Sequence, residues 1–140
     1  MIANRRAGWA LPGALLLAIV LACAGCASQP AVASGPHTGS ATASEVAGVQ
    51  QVTVTVADNY RFDPSTITVH QGTVKVILVH KGTGAPHDFS VVGFPGDQTP
   101  LATHGQTVST TFTTPSPGTY KFVCTIHVAQ GQVGQLIVLP

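Results

Sequence analysis

Three residues in the C-terminal half of the chain have side chains that could together bind a redox-active metal ion. Cys124 and His127 form a Cys-x-x-His pair, and His87 follows a proline ahead of a short apolar segment. A thiolate and two imidazoles form the trigonal donor set that suits copper, completed by a long axial ligand. A Cys-x-x-His pair alone is weak evidence, so the hypothesis requires His87 to fold beside it.

The cysteine count supports a chemical role for Cys124. The other two cysteines, Cys23 and Cys26, lie at the end of the N-terminal apolar segment, which leaves Cys124 without a disulfide partner in the folded part. An unpaired thiol in an oxidising compartment suggests a metal ligand or a catalytic nucleophile. A Cys–His hydrolase pair is the enzymatic alternative. Three residues along one turn rarely give that geometry, so we predict that the protein is not an enzyme.

Residues 1–26 are predicted to be a signal peptide. Arg5 and Arg6 precede an apolar stretch over residues 11–22 that is too short for a comfortable membrane span. The sequence Val-Leu-Ala-Cys23 resembles the lipobox of bacterial lipoproteins, and Cys26 is a second candidate for acylation. Cleavage after Ala24 by an ordinary signal peptidase is the alternative. We expect an exported protein, periplasmic or lipid-anchored on the extracytoplasmic face of the cell membrane.

The charge balance argues against nucleic acid as a partner. Only 8% of residues are charged, and removing Arg5 and Arg6 from the six Lys and Arg leaves four basic residues against five acidic ones. Nucleic-acid binding and polybasic membrane binding both need a basic surface. The sequence therefore predicts neither, and membrane contact is expected only through the lipid anchor.

The remaining chain is divided into a linker and one domain. Residues 27–48 are rich in Ala, Ser, Gly, Thr and Pro, which predicts a flexible linker. From residue 49 to residue 140, runs of alternating apolar and polar residues are separated by turn residues, which predicts an all-β, antiparallel β-sandwich. These runs are residues 51–56, 66–70, 73–79, 89–92, 107–113, 119–124 and 133–139. Cys124 shares its face with Tyr120 and Phe122, so its side chain should point into the core.

The order and spacing of four motifs resemble those of cupredoxins, the plastocyanin-like type 1 blue copper proteins. The motifs are Tyr60-Arg61-Phe62-Asp63-Pro64, Pro86-His87-Asp88-Phe89, Pro117-Gly118-Thr119-Tyr120 and the stretch from Cys124 to Gly134. The resemblance covers residues 52–139. It implies an eight-stranded Greek-key sandwich and one copper ion, Cu(I) or Cu(II), with His87, Cys124 and His127 as equatorial ligands.

The axial position departs from the usual pattern of the family. Members usually have Met eight residues after the Cys, whereas this chain has Gln132 there and no Met other than Met1. The resemblance to stellacyanin-like members implies that the Gln132 amide oxygen is the axial ligand, which should favour Cu(II) and lower the reduction potential. The alternative is that Gln132 only packs in the loop.

The resemblance also suggests roles for residues around the ligands. The backbone N–H of Asp88 is expected to donate to the Cys124 sulfur, and its carboxylate to bridge to Thr125. The Pro86 carbonyl is expected to approach the metal opposite Gln132. The other histidines and three aspartates are assigned structural or solvated roles: His37, His70, His80, His104, and Asp58, Asp63 and Asp97 as turn and capping residues.

The function expected from the resemblance is single-electron transport by a monomer outside the cytoplasm. Redox partner proteins would dock transiently near His127, on an apolar patch that includes Val128, Ala129, Phe94 and Pro95. The first alternative is a copper-binding protein for storage, delivery or sensing without electron-transfer turnover. The second is a metal-free β-sandwich interaction module, which the three filled ligand positions disfavour.

Overall fold

The computed structural model of the chain describes residues 38–94 and 96–140. The predicted signal peptide with Cys23 and Cys26, the linker as far as His37, and Pro95 lie outside the described residues. Within those residues, no helix is long and apolar enough to cross a membrane.

The described residues form ten β-strands and one 3₁₀ turn. The strands are β1 Ser40–Thr42, β2 Ser44–Val46, β3 Val49–Val56, β4 Phe62–Asp63, β5 Thr66–His70, β6 Thr73–His80, β7 Ser90–Val91, β8 Thr107–Thr113, β9 Gly118–Val123 and β10 Val133–Leu139. The 3₁₀ turn, Val128–Gln130, lies between β9 and β10. Each long strand coincides with one of the alternating runs, because alternation places one apolar face on the core.

These strands form two sheets, which confirms the predicted β-sandwich. One sheet has the order β1-β5-β10-β9-β7, and the other has β2-β3-β6-β8 with β4 also paired to β3. The sheets are mixed rather than wholly antiparallel, because β3 pairs with β6, and β5 with both β1 and β10, in parallel. Side chains alternate in the same way in both kinds of pair, so the pattern contains no information on strand direction.

The first two strands lie within residues 27–48, the predicted linker, so the predicted C-terminal boundary of the linker is wrong. Residues 40–42 pair with β5 and residues 44–46 pair with β3, whereas the composition predicts a linker for both segments. Small and polar residues hide the alternation, yet Ala41 and Ala43 pack against the core. A two-residue turn at Ala47 and Gly48 joins β2 to β3, with φ of 52° and 79°, as a tight hairpin turn requires.

An aromatic cluster fills the core beneath the predicted metal site. Phe62, Phe89 and Phe122 are fully buried, and the Phe122 ring centroid lies 5.0 Å from that of Phe62 and 4.8 Å from that of Phe89. Cys124, two residues after Phe122 on the same face, is also fully buried. The predicted inward direction of Cys124 is therefore confirmed.

The approach of β10 to this cluster predicts the effect of a methyl group at Gly134. A Cβ atom there would overlap the Phe122 ring and lie 2.6 Å from the Ser65 carbonyl oxygen. We expect Gly134→Ala to lower the free energy of unfolding by about 1–3 kcal/mol or more, through overpacking. Urea denaturation measures this cost. The cost should shrink in a Phe122→Leu background, and equal costs in both backgrounds would contradict the explanation.

Candidate metal centre

Two separate segments bring the three predicted ligands together at one end of the sandwich. His87 lies between β6 and β7, where its backbone exchanges hydrogen bonds of 2.9 and 2.7 Å with Ala102. Cys124 and His127 lie on the loop between β9 and β10. The Cys124 N–H donates to the Gln132 carbonyl at 3.1 Å, and the His127 N–H donates to the Cys124 carbonyl at 3.1 Å. These bonds close the loop on itself and turn His127 back toward Cys124.

The three ligand atoms face a common point. The Nδ1 atoms of His87 and His127 are 3.1 Å apart, and the Cys124 sulfur lies 3.4 Å from His127 Nδ1 and 3.9 Å from His87 Nδ1. A point equidistant from the three atoms is about 2 Å from each, close to the length of metal–imidazole bonds. The side chains are 0%, 0% and 8% exposed for His87, Cys124 and His127. The three residues are thus arranged as a possible metal site.

Gln132 presents a fourth donor atom to the same space. Its side chain is fully buried, and its Oε1 lies 2.8 Å from His87 Nδ1. Its Nε2 has no hydrogen-bond partner, so the amide is oriented by its oxygen alone. This placement fits the axial role expected of Gln132, and ligation itself stays a prediction.

The pKa shifts of His87 and Cys124 have opposite effects on metal binding. Burial lowers the pKa of His87, while its hydrogen bond with Gln132 opposes this shift. Since metals bind the neutral imidazole, the shift favours the binding form. Burial raises the pKa of the Cys124 thiol, and the backbone N–H groups of Asp88 and Ile126 act in the opposite direction. The contact from the Asp88 N–H to the Cys124 sulfur was expected from the sequence. Because the thiolate is the form that binds a metal, metal binding must displace the thiol proton.

The Asp88 carboxylate joins the two ligand segments, as expected. It accepts hydrogen bonds from the Thr125 N–H at 2.7 Å and from the Thr125 hydroxyl. The Gln98 side chain also donates to it, at 2.8 Å. Gln98 could not be predicted as a partner of Asp88, because it lies in a loop without a motif. The approach of the Pro86 carbonyl to the metal remains a prediction.

Two further residues hold the loop that leads to His87. Asp58 accepts the N–H groups of Thr83 and Gly84 at 3.1 and 2.9 Å, and these bonds lower the pKa of its carboxyl. The His80 ring stacks on His87, with centroids 5.0 Å apart, and its Nε2 lies 2.9 Å from the Ala85 carbonyl oxygen. Asp58 therefore acts in a turn, as expected. The contact of His80 with a ligand was missed, although the alternation of β6 places His80 on the buried face.

His70, His104 and Asp97 make contacts away from the three proposed ligands. His70 Nδ1 lies 2.8 Å from the Pro140 carbonyl, and His104 Nδ1 lies 2.8 Å from the Gly82 carbonyl. Asp97 is buried and accepts the Val91 N–H, and burial raises the pKa of its carboxyl. Within the described part of the chain, His87, Cys124 and His127 form the one group of three His, Cys, Asp or Glu side chains that meets at a single point.

Comparison with known proteins gives the family. The family model of the cupredoxin-like domain matches residues 14–138, and the chain belongs to this family. Copper is the cofactor of cupredoxins, and the present donor set fits it.

Solved structures with the same fold include two auracyanins. Auracyanin from the photosynthetic bacterium Roseiflexus castenholzii is 25% identical, with a TM-score of 0.57; the match covers 64% of this chain and 97% of the auracyanin chain. Auracyanin A, a blue copper protein from Chloroflexus aurantiacus, is 24% identical, with a TM-score of 0.58; the match covers 65% of this chain and 99% of the auracyanin A chain. The Cu(I)-bound metal-binding domain of the Cu(I)-exporting ATPase CopA from Streptococcus pneumoniae is 16% identical, with a TM-score of 0.61. The match covers 74% of this chain and 98% of that domain's chain. The comparison with curated proteins gave no match.

The Asp88 bridge predicts how strongly the two ligand segments depend on each other. Asp88→Ala removes the acceptor of both Thr125 hydrogen bonds, and we expect it to weaken copper affinity by about 10- to 100-fold, as the loss of supporting partners does at metal sites. Asp88→Asn is the matched control, because its amide oxygen still accepts the Thr125 N–H. Chelator competition measures both affinities. Equal affinities for Asp88→Ala and the unaltered chain would contradict the bridging role.

Proposed function

We propose that this chain is a mononuclear type 1 copper protein that carries single electrons outside the cytoplasm. The observation that carries the proposal is the convergence of one sulfur and two imidazole nitrogens, all within 3.9 Å of one another. A bound copper ion would supply a one-electron Cu(I)/Cu(II) couple. The export signal expected in residues 1–26 supports the proposed location.

The protein's contribution to electron transfer is to hold the ligands still. Backbone hydrogen bonds fix Cys124 and His127 within their loop, the pairing with Ala102 fixes His87, and the Asp88 carboxylate joins the two segments. A donor set that is held in place before the electron arrives changes little when the metal charge changes. A small rearrangement lowers the barrier to electron transfer, since preorganised surroundings need little reorganisation.

The surface around His127 supports transient docking of a redox partner protein. His127 is 8% exposed, whereas its neighbours Ile126 and Val128 are 49% and 45% exposed. A small apolar patch beside the nearly buried His127 suits the brief encounters of redox proteins, which bury little area. Phe94 of the expected patch instead packs partly buried against Tyr120, with ring centroids 5.2 Å apart.

Copper storage, delivery or sensing is the second candidate function. It is favoured by the fold that this chain shares with the CopA metal-binding domain. Because the two sequences are only 16% identical, the similarity concerns the fold alone. The burial of all three donor atoms favours retention of the metal, because direct transfer requires an acceptor's ligands to reach it. Fast oxidation and reduction with retained copper supports the carrier, whereas ready transfer to an apo-protein supports delivery.

A visible absorption spectrum of the copper-loaded protein tests the proposed function. Ligation by the Cys124 thiolate predicts a strong sulfur-to-copper charge-transfer band, accompanied by a type 1 paramagnetic-resonance spectrum. Cys124→Ser should abolish the band, because an alcohol oxygen replaces the sulfur. A band of unchanged intensity in Cys124→Ser, or a wild-type protein that takes up no copper, would overturn the proposal.

The axial role of Gln132 predicts the direction of a change in reduction potential. Gln132→Met replaces a hard amide oxygen with a soft thioether, which stabilises Cu(I), so the potential should rise. Gln130→Met is the matched control, because Gln130 is exposed on the same loop. Protein-film voltammetry measures both variants. An unchanged potential in Gln132→Met would show that Gln132 only packs in the loop.

A further inference from the structure

Tyr60 has a backbone conformation that is uncommon for a bulky residue. In the described part of the chain, Tyr60 and Ala47 are the two residues other than glycine with positive φ, at 54° and 52°. This left-handed region is uncommon for residues with a Cβ and worst for bulky ones. Ala47 adopts it in a two-residue hairpin turn that requires it. Tyr60 closes the turn that begins at Ala57, in the connection between β3 and β4, and there the left-handed residue carries a bulky ring.

The Tyr60 ring contacts both histidines of the proposed metal site. Its centroid lies 4.8 Å from that of His127, with the planes inclined by 56°. It also lies 6.0 Å from the centroid of His87, nearly edge-on at 70°. Both distances fall in the range in which aromatic rings attract each other. One side chain therefore packs against imidazoles from two different segments.

Hydrogen bonds hold the Tyr60 turn against the loop that carries His127. The Arg61 Nη1 donates to the Tyr60 carbonyl at 2.8 Å and to the Gln130 carbonyl at 3.4 Å. The Arg61 N–H donates to the Asn59 side chain at 3.1 Å, and the Tyr60 N–H donates to the Ala57 carbonyl at 3.3 Å. A disfavoured conformation persists only where its surroundings impose it, and such positions cluster at functional sites.

We propose that Tyr60 is a positioning residue of the copper site, whose ring holds the imidazoles of His127 and His87 in the orientation that ligation needs. The left-handed conformation directs the side chain over the two rings, and the Arg61 hydrogen bonds keep it there. His127 has the most exposed of the three ligand side chains, so it depends most on a neighbour that restricts its rotation. The inference rests on the proposed function, because it assumes that copper binds at these histidines.

Three variants separate positioning by the ring from backbone strain. Tyr60→Gly removes the ring and relieves the left-handed strain, because glycine adopts positive φ freely. Tyr60→Phe retains the ring and removes only the hydroxyl. Ala47→Gly relieves the same strain at a turn outside the metal site, so it reports the effect of strain relief alone.

The readouts are the rate of Cu(I) loss to a chelator, the paramagnetic-resonance spectrum of the Cu(II) protein, and the imidazole proton resonances of the copper-free protein. We expect Tyr60→Gly to lose Cu(I) about tenfold faster, the scale of effect that residues supporting metal ligands have. Its copper hyperfine splitting should change, and its His127 resonances should shift and broaden. Tyr60→Phe and Ala47→Gly should match the unaltered chain in all three measurements.

Three outcomes would overturn the inference. Wild-type spectra and a wild-type rate of Cu(I) loss in Tyr60→Gly would show that the ring does not position the ligands. Equal losses in Tyr60→Phe would assign the effect to the hydroxyl, and equal losses in Ala47→Gly would assign it to backbone strain. If the unaltered chain itself takes up no copper, the proposed function fails, whereas a normal copper spectrum that is insensitive to Tyr60 removes only this inference.

Discussion

The structure depends on keeping two imidazole nitrogens and a sulfur within 4 Å of one another in a space with little access to water. Atoms with lone pairs repel one another at such distances unless a proton or a metal ion lies between them, and burial removes the water that would otherwise solvate them. Left to local preferences, the side chains would turn away. The surrounding chain therefore has to restrain each of them from a different direction.

The restraints come from the sheets and from a few buried polar contacts. Strands β9 and β10 pair directly, with Val123 opposite Val133, so the loop between them begins and ends at one point. His87 comes from a separate segment, and the Asp88 carboxylate, the Gln132 side chain and the Tyr60 ring connect it with that loop. The pairing with Ala102 and the stacked His80 ring hold His87 from outside the loop. The loop is held by hydrogen bonds between its own residues, whereas the position of His87 relative to Cys124 depends on contacts between distant parts of the chain.

The difference between local and long-range information explains what the sequence could predict. Alternation in the long strands predicted the sandwich and the inward direction of Cys124, because a side chain's face is a local property. It did not predict the parallel pairing of β3 with β6 or the strands over residues 40–46, since partner direction and edge pairing leave no apolar pattern. The motifs predicted which residues meet at the candidate metal site. The positions of Gln98 and His80 near this site result from packing between distant segments, which cannot be predicted from a single sequence.

The buried Gln132 amide separates the two interpretations of the axial position. Its Nε2 is buried without a hydrogen-bond partner, and a polar group in that state costs about 1–3 kcal/mol. If Gln132 only filled space, an apolar side chain of similar size would pack there without that cost. The Oε1 atom, by contrast, has a defined position, 2.8 Å from His87 Nδ1 and directed at the same space as the other donors. A use for the oxygen as a ligand would offset the cost on the nitrogen, and an oxygen donor stabilises the higher oxidation state of copper. By this reasoning, a centre with Gln132 as its axial ligand would work at a lower potential than one with a thioether in its place.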